Sequence, residues 1–427
     1  MPGLDRFGGI LRQRRTPIAF VIIILLTVLH LRDDYRHVTP LYWQAATLKG
    51  SQAQQLVLQA AKDWTWNHTI DANNLLLTHR QCNLAFPDFF QDIDRSVRKH
   101  RAPAYNIKLE DLDKLWNING FVRAMIYEQQ LYVISTGGPI YSRSFAVLSQ
   151  IHRALITSPE RVPNIEFTFS VDDRLPPLPQ WAFAREPLDG TTWLMPDFGF
   201  WSWPETNVGA FSEARIKAAA VDQSTNWTAK EPKLLWRGAP MGLPLREGLL
   251  DATSDKSWAD VKSLDWHPSD GSSVQDLKSM DEHCRYKFLA HTEGNSYSGR
   301  LKYLQLCKSV IIAHPMQWVT HFSHLMKKEG ADQNYLEVSL DWSDLESKIR
   351  HLLEWESLGE RIASNSVKTF RERYHTPAAE VCYWRRLFKG WAEVTAFEPQ
   401  FYDAEGRWRG VPFESYILER RLEWDPY

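Results

Sequence analysis

Two stretches of the chain carry residue types whose spacing suits anion chemistry. The first is His291–Cys307, "HTEGNSYSGRLKYLQLC". Here Gly294, Ser298 and Gly299 lead into Arg300 and Lys302, and the stretch closes apolar at Leu304, Leu306 and Cys307. The pattern predicts a strand ending at Leu289-Ala290, a glycine-bearing loop, a helix from Ser298 to Cys307 and a strand at 309–313. A helix start offers free N–H groups and a partial positive charge. Two cations in a first turn are unfavourable to the helix itself, so an anionic diphosphate would explain them. Solvated cations beside turn-forming glycines would explain them equally. Arg237-Gly238, where the predicted strand "PKLLWRGA" runs out, raises the same choice between a phosphate contact and a buried ion pair, and Arg246 lies a little further on.

The second stretch is "IEFTFSVDDR", Ile165 to Arg174. It alternates as a strand should and ends in Asp172-Asp173. Carboxylates at the carboxyl end of a strand sit where open α/β sheets put their active sites. There a carboxylate can serve as a general base; an Asp pair that only caps a turn is the alternative. The spacing around Arg300 is neither a P-loop nor G-x-G-x-x-G, and the chain has no H-E-x-x-H and no G-x-S-x-G. Asp92 and Asp94 imitate an Asp-x-Asp metal motif but read better as the acidic first turn of a helix.

The elements that must hold these groups alternate. An amphipathic helix over "RSFAVLSQIHRALITSP" precedes the Asp172-Asp173 strand. Strands at "PKLLWRGA", "CRYKFLAHTEG", 309–313 and "YLEVSL" alternate with helices, among them 343–355 and 357–373. This argues α/β architecture with parallel strands. A helix is expected around "LEDLDKLWNINGFVRAMIYEQQ", a strand at "LYVIST", surface loops at "KSLDWHP" and 269–281, and a C-terminal helix over "EVCYWRRLFKGWAEV".

Length and composition bound the rest. The 427 residues allow two or three domains, and a net charge of -2 disfavours a nucleic-acid surface. The 19 Trp either line sugar sites or build core, with Trp201, Trp203 and Trp318 as candidates for stacking on an acceptor. Arg12, Arg14 and Arg15 precede the apolar run 17–31, which reads as an uncleaved signal anchor with a cytosolic N-terminus and a luminal body. A stem over 35–75, mostly helical, would follow. The sequons Asn67-His68-Thr69 and Asn226-Trp227-Thr228 suit a luminal body, as do four cysteines without a CxxC pair. Two disulfides are expected, with three possible connectivities. The last residues carry no retrieval signal, which favours a single-pass Golgi membrane protein over one kept in the endoplasmic reticulum.

"WRGA" at 236–239, "HCRYKFLAHTEGNSYSGRLKYLQLCKSVII" at 283–312 and "VCYWRRLF" at 381–388 resemble glycosyltransferase family 90, the capsule-associated and protein O-glucosyltransferase-like family, in a fungal-type form. The resemblance covers roughly residues 80 to 395. It implies a GT-B type fold, two Rossmann-like lobes with a cleft between them. The corresponding division is tail and anchor 1–34, stem 35–75, an acceptor lobe 76–215, a UDP-sugar lobe 216–380, and a helix and tail 381–427 packing back on the first lobe. It implies an inverting transferase that needs no metal or other cofactor and moves xylose or glucose from a UDP-sugar to a glycan, glycolipid or glycoprotein. A non-catalytic glycan-binding scaffold of the same fold is the alternative.

By the same resemblance Asp173 would be the base, with Asp172 as the second choice. Arg300, within loop 294–300, binds the diphosphate with Gly294, Ser298, Gly299 and Lys302. Arg237, Gly238 and Arg246 contact the donor, and Ser142-Arg143 matches a further pair of the family. Cys284 would pair with Cys307, and Cys82 with Cys382. "HTEGNSYSG" departs from the family's aromatic-Arg-Gly lead, which would remove one donor contact.

Overall fold

Phe121–Tyr127, inside the stretch expected to be helical, is a strand. Its sequence "FVRAMIY" is buried along both faces, so it shows no alternation from which its period could be read. Glu128 and Gln129, both at positive φ (46° and 67°), then turn the chain into a hairpin. Of the expected helix only the turn Leu109–Leu112 forms.

The computed structural model describes residues 64–422 except 115–119, 139–141, 205–207 and 267–273. The expected anchor at 17–31 and most of the stem lie outside the described residues. No described helix is long and apolar enough to cross a membrane. Of the stem's described end, His68–Asp71 is one helical turn, capped by the Asn67 side chain.

The fold is mixed α/β. Strands β1 (Phe121–Tyr127), β2 (Gln130–Gly137), β3 (Ile165–Phe169), β4 (Trp181–Ala182) and β5 (Trp193–Leu194) are followed by a small ribbon of β6 (Ser202–Trp203) and β7 (Gly209–Ala210). Then come β8 (Glu231–Gly238), β9 (Ala259–Ser263), β10 (Tyr286–His291), β11 (Val310–Ala313) and β12 (Leu336–Glu337), and β13 (Val411–Pro412) near the end.

The first sheet has the order β13-β2-β1-β3-β4-β5. It differs from the parallel lobe expected: β1 pairs antiparallel with β2 and β3, because a two-residue turn permits no other pairing of β1 and β2. Only β3, β4 and β5 run parallel. The second sheet, β12-β11-β10-β8-β9, is parallel throughout. From β8 the chain adds β9 on one side and β10 on the other. The carboxyl ends of β8 and β10 therefore flank a switch point, where such sheets open a crevice. The expected lobe boundary at 215/216 falls inside the helix Phe211–Ser224.

Trp residues mostly build core. Trp181 stacks on Phe167 at 4.0 Å between centroids and meets Trp391 edge-on at 5.6 Å. Trp236 packs with Phe288, Ile312, Ile349 and Ile362 under the second sheet. The helix Pro377–Ala392 is fastened to the first sheet by Tyr383 Oη donating to Leu194 O (3.0 Å) and Trp391 Nε1 to Glu166 O (3.0 Å). Both disulfides form as the resemblance implied, Cys82–Cys382 and Cys284–Cys307.

Candidate functional site

The crevice at the switch point is spanned by two arginines. Arg246, on the helix Pro244–Thr253, donates through Nη1 to Ala239 O (2.7 Å), just past β8, and through Nε to Glu293 O (3.1 Å), just past β10. Arg300 donates through Nη1 to Arg237 O. Among the described residues neither has a carboxylate partner. Burial lowers both, Arg300 to about 10, and each repels the other. Both still carry charge at neutral pH. Two partly desolvated cations fixed side by side by neutral carbonyls make a seat for a multiply charged anion.

Beside Arg300 opens a cavity of about 230 Å³, lined also by Trp203, Leu264, Trp266 and His283. Burial pushes His283 down to about 4, so its ring is neutral. Nδ1 sits 2.8 Å from Ser279 O and therefore carries the proton, while the buried Nε2 has no partner among the described residues.

Across the crevice β3 ends at Phe169, and Asp172-Asp173 follow. The Asp172 carboxylate is used locally, accepting the Asp173 N–H at 2.7 Å. Asp173 faces other elements. Its Oδ1 lies 3.5 Å from Arg143 Nη1, at the start of the helix Ser142–Ile156, and its Oδ2 lies 3.4 Å from Asn295 Nδ2 in the loop after β10. The side chain is 42% exposed. Arg143 is steadied over the Phe198 ring at 4.6 Å. Of the two neighbouring carboxylates, Asp172 is the more exposed, and Asp173 is the one that side chains from other elements position.

The remaining candidates divide. Gly294, Ser298 and Gly299 lie in the loop that carries Asn295. At Gly294 a Cβ would stand 3.3 Å from Arg246 Nη2, so this glycine lets the guanidinium lie against the loop. Lys302 is not a phosphate ligand in this geometry: its ammonium is buried, 2.8 Å from Asp197 Oδ1 and 2.6 Å from Gly299 O, among the rings of Phe200, Trp203 and Tyr303. Arg237 is likewise committed, paired with Asp260 (2.7 Å) and bonded to the carbonyls of Trp236, Asp260 and Asp276. It serves the site through its own carbonyl, which holds Arg300. Gly238 makes room for the Trp236 ring, which a Cβ would meet at 2.8 Å.

The helix expected over Ser298–Cys307 is a single turn, Leu301–Leu304, so the charge at the site comes from side chains rather than a macrodipole. Trp203 lines the cavity beside Arg300, and Trp201 lies under Arg153 at 4.7 Å. The Trp318 N–H donates to Glu293 Oε1 (2.8 Å). None of these contacts sets the three Trp as an acceptor platform.

Sequence reasoning missed Asp197, Glu293 and Asn295. Asp197 caps the turn Phe198–Phe200 and receives Lys302 from the other sheet; its signal was Asp before Phe-Gly-Phe, an Asx turn, but nothing local announces the partner. Glu293 is buried, accepts the N–H groups of Gln317 (2.9 Å) and Trp318, and is raised to about 7 because burial outweighs those donors.

The sequence model of glycosyl transferase family 90 matches residues 80–406. The chain belongs to this family. Among characterised relatives it is similar to the O-glucosyltransferase rumi homolog of Aedes aegypti, 26% identical over 222 residues that cover 48% of this chain and 54% of that protein. It is also similar to the O-glucosyltransferase rumi homolog of Anopheles gambiae (26% over 257 residues; 58% and 59%) and to Protein O-glucosyltransferase 1 of Rattus norvegicus (25% over 266 residues; 56% and 64%). The chain thus spans between about half and two-thirds of the length of these relatives.

Proposed function

We propose that the protein is an inverting glycosyltransferase that uses a UDP-sugar, with Asp173 as the base. The single observation that carries this reading is the pair Arg246 and Arg300, held by backbone carbonyls and lacking carboxylates among the described residues, across a crevice from Asp173. Asp173 would take the proton of an acceptor hydroxyl as its oxygen bonds to the anomeric carbon. The bond from that carbon to the diphosphate breaks on the opposite face, and the departing UDP carries away the electron pair. Arg246 and Arg300 would receive that charge, so the step would not require a metal.

The adjoining cavity, with His283 and Trp203, is where the nucleoside would lie, and the two sheets would act as the lobes of a GT-B type enzyme. Glucose is the first donor sugar to test, given the names of the relatives, and xylose the second. A glycan, glycolipid or glycoprotein is the acceptor class to test. With the apolar run 17–31 as a signal anchor, the body would be luminal in the Golgi.

The test is UDP release from UDP-glucose and UDP-xylose, with a glycan mixture and EDTA present, for the wild-type chain and Asp173→Asn. The expected outcome is release from one sugar, reduced about 10²–10⁴-fold in the variant, the range for loss of a general base. UDP binding without release from either sugar would point to a scaffold instead. Turnover undiminished in the variant would remove Asp173 from the chemistry.

A further inference from the structure

The carbonyl that holds Arg246 and the side chain that touches Asp173 belong to residues two apart in the chain. Glu293 O accepts Arg246 Nε at 3.1 Å. Gly294 follows, its hydrogen facing the Arg246 guanidinium where a Cβ would crowd it. Then comes Asn295, whose side chain reaches Asp173 Oδ2 at 3.4 Å and whose carbonyl accepts Arg174 Nε at 2.6 Å. Asn295 comes from the second sheet, and Asp173 and Arg174 from the first. The other oxygen of Asp173 faces Arg143, on its own side of the crevice. The base is therefore gripped from both sides, and only the Asn295 grip is linked to the cations.

We propose that Asn295 is a positioning residue that couples occupancy of the Arg246–Arg300 seat to the orientation of Asp173. An anion drawn between the two arginines fixes Arg246. Arg246 fixes the Glu293 carbonyl, and the short stretch Glu293–Gly294–Asn295, closed by Gly294 N–H donating to Ser296 O (2.9 Å), then holds Asp173 and Arg174. Without a donor both grips are made, each long, at 3.5 Å and 3.4 Å; with the donor bound the Asn295 grip tightens and fixes the direction in which Asp173 points its free lone pair. This rests on the proposed function, in that the anion is taken to be the donor diphosphate and the base to be Asp173.

The experiment uses the full chain and UDP as the probe. Amide hydrogen exchange of residues 170–175 is followed with and without UDP, for wild type, Asn295→Ala and Asn295→Asp, and UDP affinity is measured in parallel. UDP is expected to slow exchange at 170–175 in wild type. In Asn295→Ala UDP still binds, its affinity lowered only by the few-fold factor that the lost coupling carries, but exchange there no longer responds at saturating UDP. With the UDP-sugar that wild type turns over, Asn295→Ala lowers kcat about tenfold with donor KM raised by no more than that factor, as expected for one hydrogen bond to a charged group. Asn295→Asp, of the same shape but with a like charge and no N–H, lowers it further.

Protection that survives in Asn295→Ala at saturating UDP, or a UDP affinity identical to that of wild type, overturns the coupling. Failure of UDP to bind wild type overturns the donor reading and the coupling with it. Full turnover by Asp173→Asn, with protection still lost in Asn295→Ala, would leave the latch and remove the base, so the two failures are told apart.

Discussion

Glu293 shows how a single buried group can set a pH response. Its carboxyl is raised from 4.5 to about 7 because burial outweighs the two N–H groups that face it. Between those values the folded chain keeps the proton and the unfolded chain has released it. The folded state then binds more protons, so this group's contribution to stability is complete below about pH 4.5 and is lost as the pH rises through 7. The buried histidines 283, 291, 321 and 375 are lowered by burial and tilt the curve the other way over part of the same range. The informative quantity is therefore a difference between two chains. Glu293→Gln, which cannot titrate, is expected to gain stability relative to wild type as the pH is raised from 5 to 8, measured by urea unfolding at each pH. Parallel curves would mean that Glu293 titrates alike in the folded and unfolded chain.

The turn Phe198–Phe200 and the turn Leu301–Leu304 hold each other across the two sheets. Lys302 enters a ring of aromatic side chains to reach Asp197, and Tyr303 Oη donates to Gly199 O at 2.8 Å. Gly199 is required by this fit, since a Cβ there would stand 2.5 Å from Lys302 Nζ. Asp197→Ala strands a buried ammonium and is expected to cost about 3–5 kcal/mol, while Asp197→Ala combined with Lys302→Met, which removes both charges, should recover a large part. Equal losses in the single and double variants, by urea unfolding, would deny the pair its role.

The same two turns mark the limit of what the sequence discloses. The strand-loop-turn around Arg300 is legible because glycines, cations and an apolar close follow one another, and Asp173 is legible as a carboxylate past an alternating strand. The engagement of Lys302 with Asp197, and of Arg237 with Asp260, is not, because the partners meet only when the sheets assemble. Strand β1 escapes for another reason. It is buried on both faces, so neither a period of two nor one of 3.6 shows in its residues. Strand β9, an edge strand of "ADVKS" in which no residue is fully buried, lacks the apolar run that would have announced it.

The chain as a whole is closed by two disulfides of unlike reach. Cys82–Cys382 joins residues 300 apart and ties the helix His79–Ala85 to the helix Pro377–Ala392, inside the region built on the first sheet. Cys284–Cys307 joins residues 23 apart and closes the segment that runs from just before β10 through the loop 292–300 to just past the Leu301–Leu304 turn. By chain entropy the long closure stabilises the fold by up to about 5 kcal/mol and the short one by about 3 kcal/mol. Their functional weights run in the opposite order, because Glu293, Asn295 and Arg300 lie within the tight closure of the short bridge, whereas in the long loop they are tens of residues from either cysteine. Cys82→Ala with Cys382→Ala is therefore expected to give the larger loss of stability at unchanged UDP affinity. Cys284→Ala with Cys307→Ala is expected to give the smaller loss of stability and weaker UDP binding, since the residues that seat the anion lose their closure at both ends. Urea unfolding and UDP titration of the two paired variants measure both quantities. The reverse pattern, with donor affinity following the long closure, would mean that the crevice is shaped by the packing of the first sheet and its C-terminal helix rather than by the stapled loop.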